Sequence, residues 1–359
     1  MARGLLVSYA GYPITVSSLF PDNGLASLAG VLISAGHEVK VLDYNTVGTA
    51  RRLYSPRRSE ELSRILKQLK QGPLSRVTDK VVEMSLDLDK SLDLFAKELL
   101  EDISREVQSQ GSDFVGFKLW SGDGLIGCSS IADGLKRRFP NLKIYGGGPA
   151  VLYARKGVYE LGGAFDALVD GEAEESILLL AAFAEGKADL NDVPNLILKE
   201  DGTIKRTRRA MTLDLNTLPL PCYDPDVYPS LEGDQQIKFF VLDESRGCPM
   251  GCAFCVHRDA SGSRWRIKSG KRVISEISEI KAKTHTVGFR LGGSFTPPKF
   301  YRDLLSESEG MREGLHLCSV TPGLFPKTRS RAFATWVSTP SSLEWNPFSN
   351  PTLPNWVRD

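Results

Sequence analysis

Three of the six cysteines in this chain stand close together, as Cys248, Cys252 and Cys255, in the run Ser245-Arg246-Gly247-Cys248-Pro249-Met250-Gly251-Cys252-Ala253-Phe254-Cys255. A C-x3-C-x2-C loop turns its sulfurs toward one point. Three thiolates can then hold three irons of a cubane cluster and leave the fourth iron an open coordination position, where a ligand can react. Gly247 and Gly251 allow the tight turns such a wrap needs, and Pro249 stiffens the stretch between the first two sulfurs. The same soft donors also suit a Cys3His zinc site completed by His257, and cysteines can be structural with no metal at all.

The elements around the loop must aim it. Residues 237–242 form an apolar strand that delivers the loop from its carboxyl end, where barrel-like α/β enzymes mount their chemistry. A helix over 271–283 follows, with Val273, Ile274, Ile277 and Ile280 as its buried stripe, and then a strand over 286–291 that runs into Gly292-Gly293-Ser294. Arg264, Arg266 and Lys268 read as a solvated basic strip.

This arrangement resembles the radical S-adenosylmethionine (radical SAM) superfamily, whose signature is C-x3-C-x-aromatic-C, with Phe254 as the aromatic. The resemblance implies a 4Fe-4S cluster on Cys248, Cys252 and Cys255, with the amine and carboxylate of S-adenosylmethionine chelating the open iron. It also implies that Phe254, Gly292, Gly293 and Ser294 bind S-adenosylmethionine, the last three through backbone carbonyls that hold its amine. The family more often has an acidic residue where Ser294 stands. A reductant such as ferredoxin or flavodoxin and a small-molecule substrate are the implied partners.

The first two hundred residues alternate strand and helix. Strands fall at 4–9, 38–42, 114–119, 143–145 and 167–169, and helices at 24–35, 129–138 and 174–184. This alternation predicts a Rossmann-like, doubly wound parallel sheet with helices on both faces. Residues 51–110 read as a helical insertion. The segments Asp22-Asn23-Gly24-Leu25, Ala35-Gly36-His37-Glu38, Tyr145-Gly146-Gly147-Gly148-Pro149 and Val169-Asp170-Gly171-Glu172-Ala173-Glu174-Glu175 resemble the cobalamin-binding domain that precedes the barrel in one branch of radical SAM enzymes.

In such a sheet a ligand lies beyond the carboxyl ends of the strands, so Gly146, Gly147 and Gly148 are the candidate cobalamin contacts. Many cobalamin domains supply a histidine to cobalt through an Asp-x-His-x-x-Gly sequence, and none occurs in this chain. His37 reads as surface polar. The absence of G-x-G-x-x-G after the first strand counts against a nucleotide-binding oxidoreductase.

Residues 201–236 read as a proline-rich linker, with a hairpin over 195–206 turning at Asp201-Gly202. The expected organisation is therefore a cobalamin-binding-like domain over 1–200, the linker, a partial radical SAM (β/α) barrel over 237–308 and an irregular tail over 309–359. Six βα units at roughly 30 residues each would need on the order of 180 residues or more. From Phe239 the chain offers 121. Beyond residue 313, prolines and tryptophans without period break the resemblance, which favours a translated frameshift over a disordered segment or a docking peptide.

Composition narrows the classes. In 359 residues, 41% hydrophobic and 25% charged residues are ordinary for a globular chain, and a net charge of +1 argues against a nucleic-acid partner. The run Lys205-Arg206-Thr207-Arg208-Arg209 reads as a solvated hairpin. Residues 177–184, the longest apolar run, are too short to span a membrane, and the remaining cysteines, Cys128, Cys222 and Cys318, read as plain thiols of a cytoplasmic protein. Cobalamin beside a cluster makes methyltransferase chemistry the leading expectation, ahead of another radical oxidoreductase reaction. The rival is a non-catalytic cofactor-binding protein.

Overall fold

A computed structural model describes residues 1–12, 15–71, 78–253, 255–286, 288–293, 296–308 and 316–319. β1 (Arg3–Tyr9) is an apolar strand buried along nearly its whole length. It leads to α1 (Asn23–Ser34), whose first turn is capped by Asp22, its Oδ1 accepting the Leu25 N–H at 3.1 Å. There follow β2 (Glu38–Asp43), α2 (Val47–Leu53), α3 (Pro56–Gln71), α4 (Thr78–Gln110), β3 (Phe114–Leu119), α5 (Asp123–Arg138), β4 (Lys143–Gly147), α6 (Pro149–Ala154), β5 (Ala167–Val169), α7 (Glu174–Ala184), β6 (Leu196–Glu200) and β7 (Thr203–Arg206).

The first sheet has seven strands in the order β2-β1-β3-β4-β5-β6-β7. β1 to β5 are parallel, and the β6–β7 hairpin closes one edge antiparallel. The order reverses at β1, because β2 and β3 lie on its two sides, and that reversal opens a crevice at the strands' carboxyl ends. Side chains alternate between the two faces. Leu25, Ala29 and Leu32 of α1 and Ile177, Leu180 and Ala181 of α7 cover one face, and Phe95, Leu99 and Ile103 of α4 with Ile131 and Leu135 of α5 cover the other.

β8 (Phe239–Leu242), β9 (Ser245–Arg246), α8 (His257–Ser261), β10 (Arg266–Ile267), α9 (Gly270–Thr284), β11 (Gly288–Leu291), α10 (Pro298–Glu307) and β12 (His316–Ser319) form the second unit. Its sheet, β12-β11-β8, is wholly parallel. The two units share one core: Tyr223, Phe240, Ile277 and Phe289 belong to the same apolar cluster as α1 and α7. The ring of Tyr223 meets that of Phe240 edge-on at 4.8 Å, and α1 passes so close to the linker that a Cβ on Gly30 would overlap the Leu220 carbonyl.

The linker is also pinned to the first sheet through buried polar atoms. The Tyr228 hydroxyl donates to Asp43 Oδ2 at 2.5 Å and accepts the Asp22 N–H at 2.6 Å. Gln236 Nε2 donates to Asp43 Oδ2 at 2.8 Å. Burial, helped by the nearby Asp22 carboxylate, pushes the Asp43 carboxyl up to about 6.

Three expectations need correction. The first sheet runs past residue 200 to Arg206, because the hairpin read as a linker pairs with β5. The segment expected to be irregular from 309 contains β12, a third parallel strand; its four residues are too few to show a period. α5 starts at Asp123 rather than 129, and in the added turns Gly124 and Gly127 are where the helix presses on the Tyr9–Ala10 backbone and the Tyr9 ring. The remaining tail, with Trp336, Trp345 and Trp356, lies outside the described residues.

Among the described residues one stretch, Val16–Ser34, is long and apolar enough to cross a bilayer. Its helical run is interrupted at Pro21 and Asp22, and the α1 portion is packed between the first sheet and β8 as a core helix.

Candidate functional site

β8 ends at Leu242, and Asp243 and Glu244 lead into β9. β9 pairs antiparallel with β10, with Arg246 opposite Arg266 and Ser245 opposite Ile267. The cysteine loop is the segment between these two short strands. Gly247 has a φ of +78°, and a Cβ there would overlap the Arg264 carbonyl, so this position requires glycine. Gly251 lacks both features, and the expectation of two hinge glycines holds only for Gly247.

The Cys248 N–H donates to the Gly262 carbonyl at 3.1 Å, and the Cys255 N–H to the Cys252 carbonyl at 3.1 Å. Cys248 is buried, Cys252 exposed and Cys255 half-buried, and all three are free thiols. The donor set fits an iron–sulfur cluster: three soft sulfurs on one loop, the first anchored and the second open to solvent. Among the described residues, no three His, Cys, Asp or Glu side chains are gathered as a ready-made metal cage. Phe254 lies outside the described residues, as does the side chain of His257.

At the neighbouring strand end, the Gly293 N–H donates to Glu244 Oε2 at 2.9 Å and the Thr296 hydroxyl to Glu244 Oε1 at 2.5 Å. Ser245 Oγ lies 3.0 Å from Thr296 Oγ1. Glu244 is 1% exposed, and burial raises its carboxyl above the ordinary value. These bonds tie the carboxyl end of β8 to that of β11. A Cβ on Gly293 would overlap Ser245 and Glu244, which accounts for the glycine.

A cleft of about 370 Å³ lies between the two units. Its apolar wall is Leu6, Leu25, Leu28, Tyr145, Ile177 and Leu180, under α1 and α7. Its polar mouth carries Lys118, Glu172 and Glu174 from the first unit and Asp243, Ser245 and Arg246 from the second. Ala260, Ser261 and Gly292 complete the second unit's side, so residues before and after the three cysteines line the cleft. Lys118 Nζ pairs with Asp22 Oδ2 at 2.6 Å and sits 4.4 Å from the centre of the Trp120 ring. No histidine, cysteine or methionine is among the lining residues described.

The mouth is charged and mostly buried. Arg246 Nη2 donates to Glu174 Oε1 at 2.6 Å and Nε to Asp243 Oδ2 at 2.7 Å, and Nη1 lies 3.4 Å from Glu172 Oε2. Arg266 donates to Glu172 Oε1 at 2.5 Å. Lys268, 6% exposed, pairs with Glu276 at 2.8 Å. The expected solvated strip is therefore wrong for Arg266, whose partner Glu172 comes from the first unit, and for Lys268, whose partner Glu276 stands on the following helix, and holds for Arg264.

No family model matches the chain. Among curated proteins it is 29% identical over 192 residues to an uncharacterized methyltransferase of Pyrococcus horikoshii, a match covering 53% of this chain and 41% of that protein. It is 31% identical over 156 residues to the anaerobic magnesium-protoporphyrin IX monomethyl ester cyclase of Synechocystis, covering 43% of this chain and 30% of the cyclase. The matches thus span less than half of either relative. The cobalamin-dependent S-adenosylmethionine radical enzyme OxsB, solved with aqua-cobalamin and S-adenosylmethionine bound, superimposes with a TM-score of 0.62 at 13% identity, over 94% of this chain and 41% of OxsB. The radical S-adenosylmethionine methyltransferase TsrM of Kitasatospora setae gives 0.54 at 15% identity, over 88% of this chain and 54% of TsrM. The chain has the fold of the cobalamin-dependent radical SAM enzymes.

Within this fold, the expected site residues fare differently. Gly292 lines the cleft and Gly293 is engaged by Glu244, while Ser294 lies outside the described residues. Gly146, Gly147 and Gly148 all line the cleft. Only Gly147 has ordinary room for a Cβ; Gly146 is a core contact against Leu119 and Leu168, and Gly148 adopts a φ of +99°. Sequence reasoning missed Glu244, Thr296 and the Arg246–Glu172–Arg266 group. Acidic residues at strand ends before the cysteines and after β5 were the available signal. Cys128 is fully buried with its thiol pushed up to about 12 by burial, in keeping with a plain thiol, and His37 accepts the Ala2 N–H at 3.0 Å.

Proposed function

We propose that this protein is a radical SAM enzyme that carries a 4Fe-4S cluster on Cys248, Cys252 and Cys255, S-adenosylmethionine beside it near Gly292, and cobalamin in the cleft. The observation that carries the reading is the cleft itself. One wall is the carboxyl ends of β3, β4 and β5, and the other contains Ser245, Arg246, Ala260 and Ser261, which flank the three cysteines in sequence. A cofactor in the cleft would therefore lie against the loop that holds the cluster.

When bound, the cluster would supply the electron that cleaves the sulfonium reductively, and cobalamin would supply a methyl carrier. The chain's own residues would bind, orient and exclude water. The apolar wall under α1 and α7 suits a flat, poorly hydrated part of a cofactor, and Lys118, Glu172 and Arg246 at the mouth suit its polar rim. Glu244 holds the ends of β8 and β11 together, and so fixes the cysteine loop relative to Gly292. Methylation of a small organic molecule is the proposed reaction, with another radical modification as the wider class. A ferredoxin or flavodoxin would be the electron donor, and the reducing cytoplasm the compartment.

The test is anoxic reconstitution of the full chain with iron and sulfide, followed by S-adenosylmethionine and dithionite. The expected result is a brown protein that releases 5′-deoxyadenosine. A colourless protein, or one that retains zinc in place of iron, overturns the proposal in favour of a non-catalytic binding protein.

A further inference from the structure

The cysteine loop has two feet, and both are arginines. Arg246 ends β9 and Arg266 begins β10, and the two are register partners across that short antiparallel pair. Every residue of the loop, including all three cysteines, lies between them. Two strands of two residues each are too short to fix a loop of this length by backbone pairing alone.

The missing constraint comes from the other unit. Glu172, in the turn between β5 and α7, receives Arg266 Nη1 at 2.9 Å and Nη2 at 2.5 Å, and Arg246 Nη1 lies 3.4 Å from it. The Thr212 N–H donates to the same carboxylate at 2.9 Å, so the linker is tied in as well. Arg266 Nη2 further donates to the Ser261 carbonyl at 2.6 Å, at the end of α8 inside the loop. Glu174 and Asp243 hold the remaining faces of Arg246.

The group is largely removed from water: side-chain exposure is 13% for Arg246, 9% for Arg266, 8% for Glu172 and 9% for Glu174. Charges in such surroundings interact more strongly than at the surface; the Arg266 fork on Glu172 imposes direction as well as attraction, while Arg246 Nη1 meets the same carboxylate by charge at 3.4 Å without a hydrogen bond. Glu172, Glu174 and Arg246 also line the cleft.

We propose that Glu172 is a positioning residue that clamps both feet of the cysteine loop through Arg246 and Arg266, and thereby couples the cleft to the geometry of the cluster-binding cysteines. The coupling to a cluster rests on the function proposed above; the clamp on the loop does not. A ligand that enters the cleft meets the carboxylate on which both arginines converge, so its arrival would be felt at Cys248, two residues from Arg246.

The test uses the full-length chain with Glu172→Gln, Arg246→Lys and, as a control at an exposed ion pair, Glu175→Gln. In the chain without cofactors, backbone amide hydrogen exchange is followed across residues 247–265. Glu172→Gln is expected to speed exchange there by about tenfold while α1, α5 and α7 keep their protection. Arg246→Lys, which keeps the charge but loses the fork, should give a smaller increase, and Glu175→Gln none.

In reconstituted protein, the electron paramagnetic resonance spectrum of the reduced cluster should change on adding hydroxocobalamin. Glu172→Gln should abolish that change with iron content unaltered. Unchanged exchange in the loop of Glu172→Gln overturns the clamp. A spectral response to hydroxocobalamin that survives in Glu172→Gln overturns the coupling. Failure of every protein, wild type included, to take up iron would defeat the proposed function and the coupling together, while the exchange measurement still decides the clamp.

Discussion

The cleft wall and the cysteine loop face each other, yet they are built to different degrees of readiness. At the carboxyl ends of β2 and β3, Asp43 is buried among Tyr228, Asn45 and Gln236, and Lys118 is held between Asp22 and the Trp120 ring. Those contacts are complete without any ligand. In the cysteine loop, Cys248 is anchored, but Cys252 and Cys255 share only a local turn and Cys252 is exposed. A site made of packed side chains and buried hydrogen bonds is shaped by folding, whereas a site made of thiolates is completed by the metal that binds them.

The sharpest way to break this contrast is to remove a sulfur. Cys252→Ala should eliminate nearly all iron uptake on reconstitution, because its neighbours cannot replace a soft donor, while hydroxocobalamin affinity stays within about twofold of wild type. Iron analysis and a visible-absorbance titration check both halves. Loss of cobalamin binding in this variant would show that the cleft depends on the loop.

A smaller effect tests the buried carboxyl behind the cleft. The folded chain keeps the Asp43 proton up to about pH 6, against an ordinary value of 3.8. The sign follows from linkage: the folded state binds more protons than the unfolded state between these values, so this contribution is full below the lower one and is lost as pH rises through the upper one. The displacement corresponds to about 3 kcal/mol at most. Urea unfolding of wild type and Asp43→Asn between about pH 4 and pH 7 should show a downward slope that the variant lacks.

The smallest effect tests the shape of the cleft. Gly147 lines it and has only ordinary contacts around a would-be Cβ. Gly147→Leu should occupy cleft volume and weaken hydroxocobalamin binding by about tenfold, close to 1.4 kcal/mol, with thermal unfolding within a few degrees of wild type. A loss of folding instead would show that the first sheet has no spare room there.

How far the site was legible follows from how local each signal is. The cysteines could be read because their spacing is set within one loop. The strand–helix alternation of the first unit could be read because its buried faces repeat with period. Gly293 was flagged for a ligand role through its carbonyl; that its N–H meets Glu244, in the link between β8 and β9, is a pairing with no sequence signature. Arg266 and Lys268 looked solvated for the same reason: their partners Glu172 and Glu276 are brought in by the fold.

The sequence alone determined which atoms are available: three soft sulfurs on one short loop, glycines at the ends of parallel strands, and a net charge near neutral. Such properties are local, and covalent spacing and side-chain chemistry suffice to establish them. The tertiary structure alone decided that the turn after β5 clamps the feet of the cysteine loop and that one core serves both units. Those facts depend on contacts between segments distant in the chain, and burial decides which charges pair and which face water.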